Sequence, residues 1–528
     1  MTTLLSLPTE ILQDILEELP GSSISSFCQT CKDALHLGER LLYRAISWRF
    51  SEPLGAAHPI HAFMRAISRR PALALHVRTA ELLSGIDAWG WDDELPDCPA
   101  PLDVQELWME CLGRPQIPLF MTDRFEADIL GGIPAALVGL LLSALPALET
   151  LVTDYTMMQG SHLPGVIFEH NNSKLKLKNM AIRNNLDSRI IKPSDPPWVQ
   201  AVFCVPSLEH LCTVLPRVSE DQITGATLPS LRSLKLVDHL TEPEAISTLL
   251  SKAPKLESLT YFLIEDTDSL AADAHYEDSH QNEWAAFAEA LSHVADSLKI
   301  LKISIDEAAT SDYPPDTMDE EWMMGISQRR GRIPSLQHLV HLAKLEIPTY
   351  LLLGFSAEHR TPLSTILPPS LRKLYLRDDH VYDDDLAGAT PEDVVSMISS
   401  YFLDRSSTGV TGPLQELRIK LRGRGITDRF DNAHIKAIAE LASPQYLRVL
   451  ERLGRKAGVK MTIHRTKTTY MLAEHDVVDG VDEWVLYDPH TALGAEISET
   501  GELEGGGETG DYPSRRRLKR ARVFYSNT

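Results

Sequence analysis

Along residues 4–50 apolar side chains recur with the 3.6-residue period of helices. Ile11, Leu12, Ile15, Leu16 and Leu19 fall at i, i+1, i+4, i+5 and i+8 and form one broad stripe, while Glu10, Gln13, Asp14, Glu17 and Glu18 take the other side. Pro8 suits a first helical turn, where its missing N–H and fixed φ cost nothing. Pro20-Gly21-Ser22-Ser23 breaks that helix and restarts the next, with Ser22 or Ser23 as N-cap. Ile24, Phe27, Cys31 and Leu35 give a second helix its apolar face, and Leu41, Leu42, Tyr43 and Ile46 give a third. A unit of about 45 residues rarely folds alone without disulfides, metal or a partner. Nothing here suggests the first two, so the surplus apolar surface is expected to belong to a partner.

After residue 70 the pattern changes to a short recurring phrase, proline or a polar residue followed by Leu-x-x-Leu-x-apolar. It reads PALETLV from Pro146, PSLEHLCTV from Pro206, PSLRSLKLV from Pro229 and PKLESLTYF from Pro254. It continues as SLKILKISI from Ser297, HLAKLEI from His341, PSLRKLYL from Pro369 and PLQELRIKL from Pro413, with a divergent opening copy at Pro71. Leu208 to Leu231 is 23 residues and Leu342 to Leu371 is 29, whereas Leu256 to Leu298 is 42. The shorter spacings match arrays in which each copy makes one strand and one returning helix and only stacked copies close a core. Helices are predicted at Glu244–Ser251, Glu283–Val294, Pro391–Tyr401 and Ala433–Leu441, with a last strand at Gly458–Ile463. The acidic spacers Glu265–Gln281, Asp306–Arg332 and Arg377–Gly412 read as loops on one rim. A generic α/β domain with a parallel sheet is the competing reading, and the irregular spacing is the argument for it.

The N-terminal residues LPTEILQDILEELP and SISSFCQTCKDAL, with Cys31-Lys32 closing the pattern, resemble the F-box family. The resemblance covers about residues 7–46, and it departs from the family at Ala34, where many members carry a larger aromatic side chain. It implies docking on a Skp-type adaptor, and through it on a cullin–RING ubiquitin ligase, by Leu7, Pro8, Ile11, Ile15, Leu16, Leu19 and Pro20. The array resembles, more loosely, F-box proteins with degenerate leucine-rich repeats. The expected architecture is α/β: a three-helix F-box (1–50), an irregular leucine-rich-repeat-like solenoid (51–474), then an acidic, Gly-rich and finally basic disordered tail (475–528).

Composition narrows the partners. A formal charge of −23 over 528 residues argues against a nucleic-acid-binding surface. Six cysteines are too sparse for a disulfide framework and suit a reducing compartment. Glu10, Asp14, Glu17 and Glu18 interrupt any signal-peptide core, so an intracellular, cytoplasmic or nuclear, location is expected. The basic run Arg515 to Arg522 reads either as a nuclear import signal or as a plain solvated tail. Ile129 to Leu148 is uncharged and long enough to span a bilayer, but its glycines and prolines favour a loop, a buried helix over Ala135–Leu145 and a strand from Leu148.

No catalytic constellation stands out, and no cofactor is expected. Cys28-x-x-Cys31 lacks a second pair, His58/His61 and His338/His341 lack carboxylate or thiol neighbours, and Asp383-Asp384-Asp385 lacks the glycine and glutamate of a calcium loop. In Leu-x-x-Leu-x-Leu strands the residues beside the inward leucines face the concave side. Read so, the outward positions include Lys235, Lys302, Lys373, Arg377, Arg418 and Lys420, with Cys212, Thr260, Tyr375 and Glu346 among them. A strand face this basic in an acidic chain is expected to bind an acidic or phosphorylated segment of a target protein, the alternative being solubilising lysines on an exposed sheet. The function expected is a non-catalytic substrate receptor of a cullin–RING ligase. A ligase-independent scaffold using the same surface is the alternative, and an enzyme is the third reading.

Overall fold

The computed structural model describes residues 4, 7–50, 59–84, 122–131, 133–171, 175–183, 198–216, 218–239, 241, 243–266, 283–308, 332–353, 361–377, 390–407, 414–421, 441, 443–466, 471–472, 475–476 and 481–487. Three helices open it: α1 (Thr9–Glu17), α2 (Gly21–Cys28) and α3 (Lys32–Leu42). Two boundaries differ from the sequence reading. Pro20, not a serine, stands at the N-cap of α2. The second helix stops at Cys28, and Cys31 caps the third by accepting from the Ala34 N–H through its sulfur. Ile46 is not helical either, because it lies on the strand β1 (Ala45–Arg49).

From β1 onward the chain adds strand to strand in sequence order. They are β2 (Thr79–Leu83), β3 (Thr150–Asp154), β4 (Asn179–Arg183), β5 (His210–Pro216), β6 (Ser233–His239), β7 (Ser258–Asp266), β8 (Ile300–Ala308), β9 (Lys344–Pro348), β10 (Lys373–Arg377), β11 (Glu416–Leu421) and β12 (Lys460–Thr466). Every neighbouring pair from β1 to β12 is parallel, and Val481–Tyr487 closes the sheet antiparallel on β12. Unbroken sequential order is what stacked copies produce, and it replaces the generic α/β alternative. Three strands of this sheet escaped the sequence reading: β1 and β4, since neither carries the full leucine phrase, and Val481–Tyr487, which falls in the segment read as tail.

The register explains the phrase. Ile46, Ala80, Leu151, Met180, Leu211, Leu234, Leu259, Leu301, Leu345, Leu374, Leu417 and Met461 align as one ladder, all buried. Alternate residues face opposite sides of a sheet, so this ladder and the one two residues on form the core against the returning helices. Among those helices Pro134–Ala144 is buried along its whole length, which accounts for its all-apolar composition. It is a core element, and no described helix is long and apolar enough to cross a membrane. Pro243–Ser251 and Pro391–Ser407 are helical, and Glu283–Ala290 continues as a tight 3₁₀ turn over Leu291–Val294.

One rung before the strands, backbone N–H groups bond to the carbonyl of the preceding copy along Arg78, Glu149, Lys178, Glu209, Arg232, Glu257 and Lys299. Charge alternates in sign along this row, and Arg78–Glu149 (3.0 Å), Arg232–Glu257 (2.9 Å) and Lys299–Glu257 (2.7 Å) pair. Such solvated pairs are worth about 0–1 kcal/mol each, so they favour one stacking register more than they add stability.

The sheet runs across both expected domain limits, at residues 50 and 474. A boundary at residue 50 would cut off β1, whose five residues all pair with β2, and the sheet runs past 474 to Tyr487. Residues 481–487, within the expected tail segment, form a strand. The helix predicted over Ala433–Leu441, except Leu441 itself, lies outside the described residues, as do most of the acidic spacers and the Asp383-Asp384-Asp385 run. So does the segment from 488 onward, with the basic run.

Candidate functional site

The helical period divides the N-terminal stripe into two faces. Leu12 and Leu16 turn inward and are 2% and 1% exposed. Leu7, Ile11, Ile15 and Leu19, each four residues from the next, turn outward and are 39%, 46%, 38% and 38% exposed. Leu4 and Leu35 add to the exposed large apolar side chains here, and Pro8 and Pro20 at the two ends are exposed as well. Leu16 is the one residue of the expected docking set that the structure removes, because its side chain fills the unit's own core. Soluble proteins seldom leave four large aliphatic side chains in a row uncovered.

Beneath that row the unit is tightly built. Gly38 on α3 faces Cys28 so closely that a Cβ would lie 2.4 Å from the Cys28 sulfur. Burial, with Glu39 nearby, pushes the Cys28 thiol above its usual range and leaves it a neutral core group. Glu39 takes two hydrogen bonds from Arg70, at 2.6 and 2.7 Å, where Arg70 follows the helix α4 (Pro59–Arg69). Arg44 pairs with Glu17 at 3.1 Å, and the Arg44 carbonyl accepts from the N–H groups of Arg78 and Thr79. The exposed row is thus tied to the first strands of the sheet by side chains and backbone together.

The second region is the open face of the sheet at β8–β11. Lys302, Glu346, Tyr375 and Arg418 form one ladder across it, with Lys344, Lys373 and Glu416 two residues before and Arg377 and Lys420 two residues after. One oxygen of Glu346 meets Lys420 at 2.6 Å, Arg377 at 2.7 Å and Lys302 at 3.8 Å. Burial alone would raise its carboxyl, but the Lys420, Lys302 and Arg377 charges hold it down at about 2. Glu416 accepts from Arg418 at 2.8 Å and from the Tyr375 hydroxyl at 3.2 Å, and lies 3.5 Å from Lys373. Arg418, Lys344 and Lys420 stand 4.7, 4.9 and 5.6 Å from the Tyr375 ring centre, within cation–π range. Burial, together with Glu416 and Glu346, carries the Tyr375 hydroxyl up to about 12, against the lowering by Arg418.

Five of the six expected basic residues therefore meet here. Lys235 does not, since it lies on β6 between Cys212 and Thr260. The sequence reading missed Lys344 and Glu416, which sit two residues before the Glu346–Arg418 ladder, and took Glu346 for an interspersed acid although it anchors three cations. Elsewhere the open face is mixed: Ser47 donates to Glu81 at 2.8 Å, and Glu81 lies 3.6 Å from Arg183. Asp154, buried at the end of β3, accepts from the Ser84 N–H, the Ser84 hydroxyl and the Met157 N–H, which marks it as a turn clasp.

Among the described residues no group of three or more His, Cys, Asp and Glu side chains could hold a metal ion. Cys31 is exposed, and burial pushes the His338 imidazole below its usual value, favouring the neutral ring.

A search of curated proteins finds no match for this chain. Among solved structures, the crystal structure of the Rad7 and Elc1 complex in yeast gives a TM-score of 0.26 at 12% identity, over 79% of this chain and 93% of that one. A likeness that loose assigns neither a residue nor a partner. The model of the F-box domain matches residues 4–40, the segment that ends within α3 and contains the whole outward row. Residues 4–40 are an F-box domain.

Proposed function

We propose that this chain is the substrate-recognition subunit of a Skp–cullin–F-box type ubiquitin ligase. Its F-box docks a Skp-type adaptor through Leu7, Pro8, Ile11, Ile15, Leu19 and Pro20, and a target protein is held on the open face of the sheet by an acidic or phosphorylated segment. The observation that carries the reading is the row Leu7, Ile11, Ile15 and Leu19, uncovered on a domain of this family. The chain's own work is positioning: a bound target sits at high effective concentration near the transfer machinery that the adaptor and cullin supply, and this subunit performs no bond chemistry. The test is co-purification of adaptor with the wild-type chain and with Ile11→Asp/Ile15→Asp. The reading expects the double variant to lose adaptor while keeping its fold, and adaptor retained at wild-type levels would overturn it. Ubiquitin transfer to a bound protein by the reconstituted complex then separates a ligase receptor from a ligase-independent scaffold.

A further inference from the structure

Across β8–β11 the described open-face side chains include six cations, Lys302, Lys344, Lys373, Arg377, Arg418 and Lys420, and two carboxylates, Glu346 and Glu416. Among these described side chains the cations exceed the carboxylates by four, on a chain whose formal charge is −23. Their distribution differs from that of a pocket for one compact anion. The tightest convergence of cations, Lys420, Arg377 and Lys302, is already occupied by a carboxylate of the chain itself, with Arg377 and Glu346 only 7% and 4% exposed in their side chains. A tetrahedral dianion entering from solvent finds no free trio to sit in.

The excess of cations over carboxylates is spread along the strands. Lys302, Lys344, Lys373 and the Arg418–Lys420 pair lie one strand apart in turn, and their side chains are partly exposed. Strand spacing is about 4.8 Å, so the row extends over about 14 Å, the length of four to five residues of an extended chain. Singly charged groups carried at intervals along such a chain match this layout. Glu346 displays the mode of recognition in advance, since its carboxylate oxygen takes ammonium and guanidinium donors together. Ser304 Oγ and Thr462 Oγ1, at open-face positions on the strands flanking β9–β11, are buried without a hydrogen-bond partner.

We infer that the β8–β11 face binds an unphosphorylated run of about four to five Asp or Glu residues in extended form, with the Glu346 carboxylate as the chain's own competitor for the same cations. This rests on the reading of the open face as the target-binding surface and specifies its ligand class. The unphosphorylated acidic run is preferred over a phosphorylated side chain because the charge is dispersed, one cation per strand.

The probe is fluorescein-labelled octaglutamate, titrated by fluorescence polarisation into the full chain purified with its adaptor. The expected result is saturable binding that weakens steeply with salt. Octaglutamine should not bind, and Lys302→Ala/Lys344→Ala/Lys373→Ala should bind at least tenfold more weakly. These three side chains are partly exposed, and a thermal melt checks that the variant is folded. Glu346→Gln, which removes the internal competitor, is expected to hold octaglutamate several-fold more tightly at low salt. The inference is overturned if octaglutamate fails to bind the wild-type chain or binds the triple variant equally. Tighter binding of a single-phosphoserine peptide of the same length, or of a uridine octanucleotide, also overturns it. Adaptor is quantified in the same preparations, so failure of octaglutamate to bind the wild-type chain with adaptor present counts against this inference alone, and absence of adaptor from a wild-type chain that binds octaglutamate counts against the adaptor reading alone.

Discussion

Glu346 on β9 and Arg377 on β10 form a buried ion pair, with the guanidinium donating to the carboxylate at 2.7 Å from two residues along the neighbouring strand. Two buried charges in contact repay their desolvation only when further donors complete them, and Lys420 at 2.6 Å does so here. The pair is the electrostatic centre of the open face, and its chemistry sets the first expectation.

The carboxyl of Glu346 titrates at about 2 in the folded chain against an ordinary 4.5. A folded value below the unfolded one means stabilisation that is complete above the unfolded value and is lost as pH falls through the folded one. The depression corresponds to about 3 kcal/mol as an order of magnitude. Urea melts of the wild-type chain and Glu346→Gln should therefore differ by about this amount at pH 7, with the gap narrowing from about pH 4.5 towards pH 2. A gap independent of pH would mean that the charge of Glu346 does not stabilise the fold.

The two faces of α1 should separate stability from docking. Leu16→Ala removes a side chain 1% exposed, and core truncations of this kind cost about 2–5 kcal/mol. Ile11→Asp/Ile15→Asp touches only the outward row and should leave denaturant midpoints nearly unchanged. It should nonetheless weaken adaptor binding by about 2–4 kcal/mol, some 30- to 1000-fold, given roughly 1.5–3 kcal/mol for each fully buried aliphatic side chain. Calorimetric titration of adaptor into both variants reads the difference.

Gly38 should tolerate no side chain. A Cβ there would meet the Cys28 sulfur at 2.4 Å and Ile24 at 3.4 Å, so α2 and α3 would have to move apart. Gly38→Ala is expected to destabilise by about 1–3 kcal/mol, as overpacked cores do, despite the better helix propensity of alanine. Chemical denaturation of the full chain is the check. Gly38→Ala/Cys28→Ala, which removes the obstructing sulfur, should recover part of the loss.

Arg70 is expected to fasten the F-box to the array through the bidentate contact with Glu39. Arg70→Ala strips the largely buried carboxylate of its partner. Amide exchange should then quicken across α3 and the turn after α4 while the strands β5–β11 keep their protection. Uniform quickening everywhere would show a global loss of stability in place of a local release.

Much of the fold was legible because burial in this architecture is periodic. A leucine at every second strand position must face the core, so the Leu-x-x-Leu-x-apolar phrase located β2, β3 and β5 to β11, and the proline before many copies marked the turn into them. β1 and β4 were missed because AISWR and NMAIR fill the same ladder without two leucines. The third helix was placed too late because Cys31 reads as one more apolar helical residue, whereas its sulfur caps the helix it begins. A local pattern cannot tell a cap from a core position, since both fit the same spacing.

The basic residues show the same division. Their parity was readable, as alternate residues of a strand share a face, and five of the six duly stand together. That Lys235 stands apart, that Glu346 gathers three cations, and that Leu16 belongs to the core while Ile15 does not were decided by the tertiary structure. The amino-acid order by itself determined which side chains avoid water and how often they recur. Which strands lie side by side, and hence which charges come within 3 Å, followed only from stacking copies separated by dozens of residues, because electrostatic contact depends on distance in space and periodicity specifies only direction.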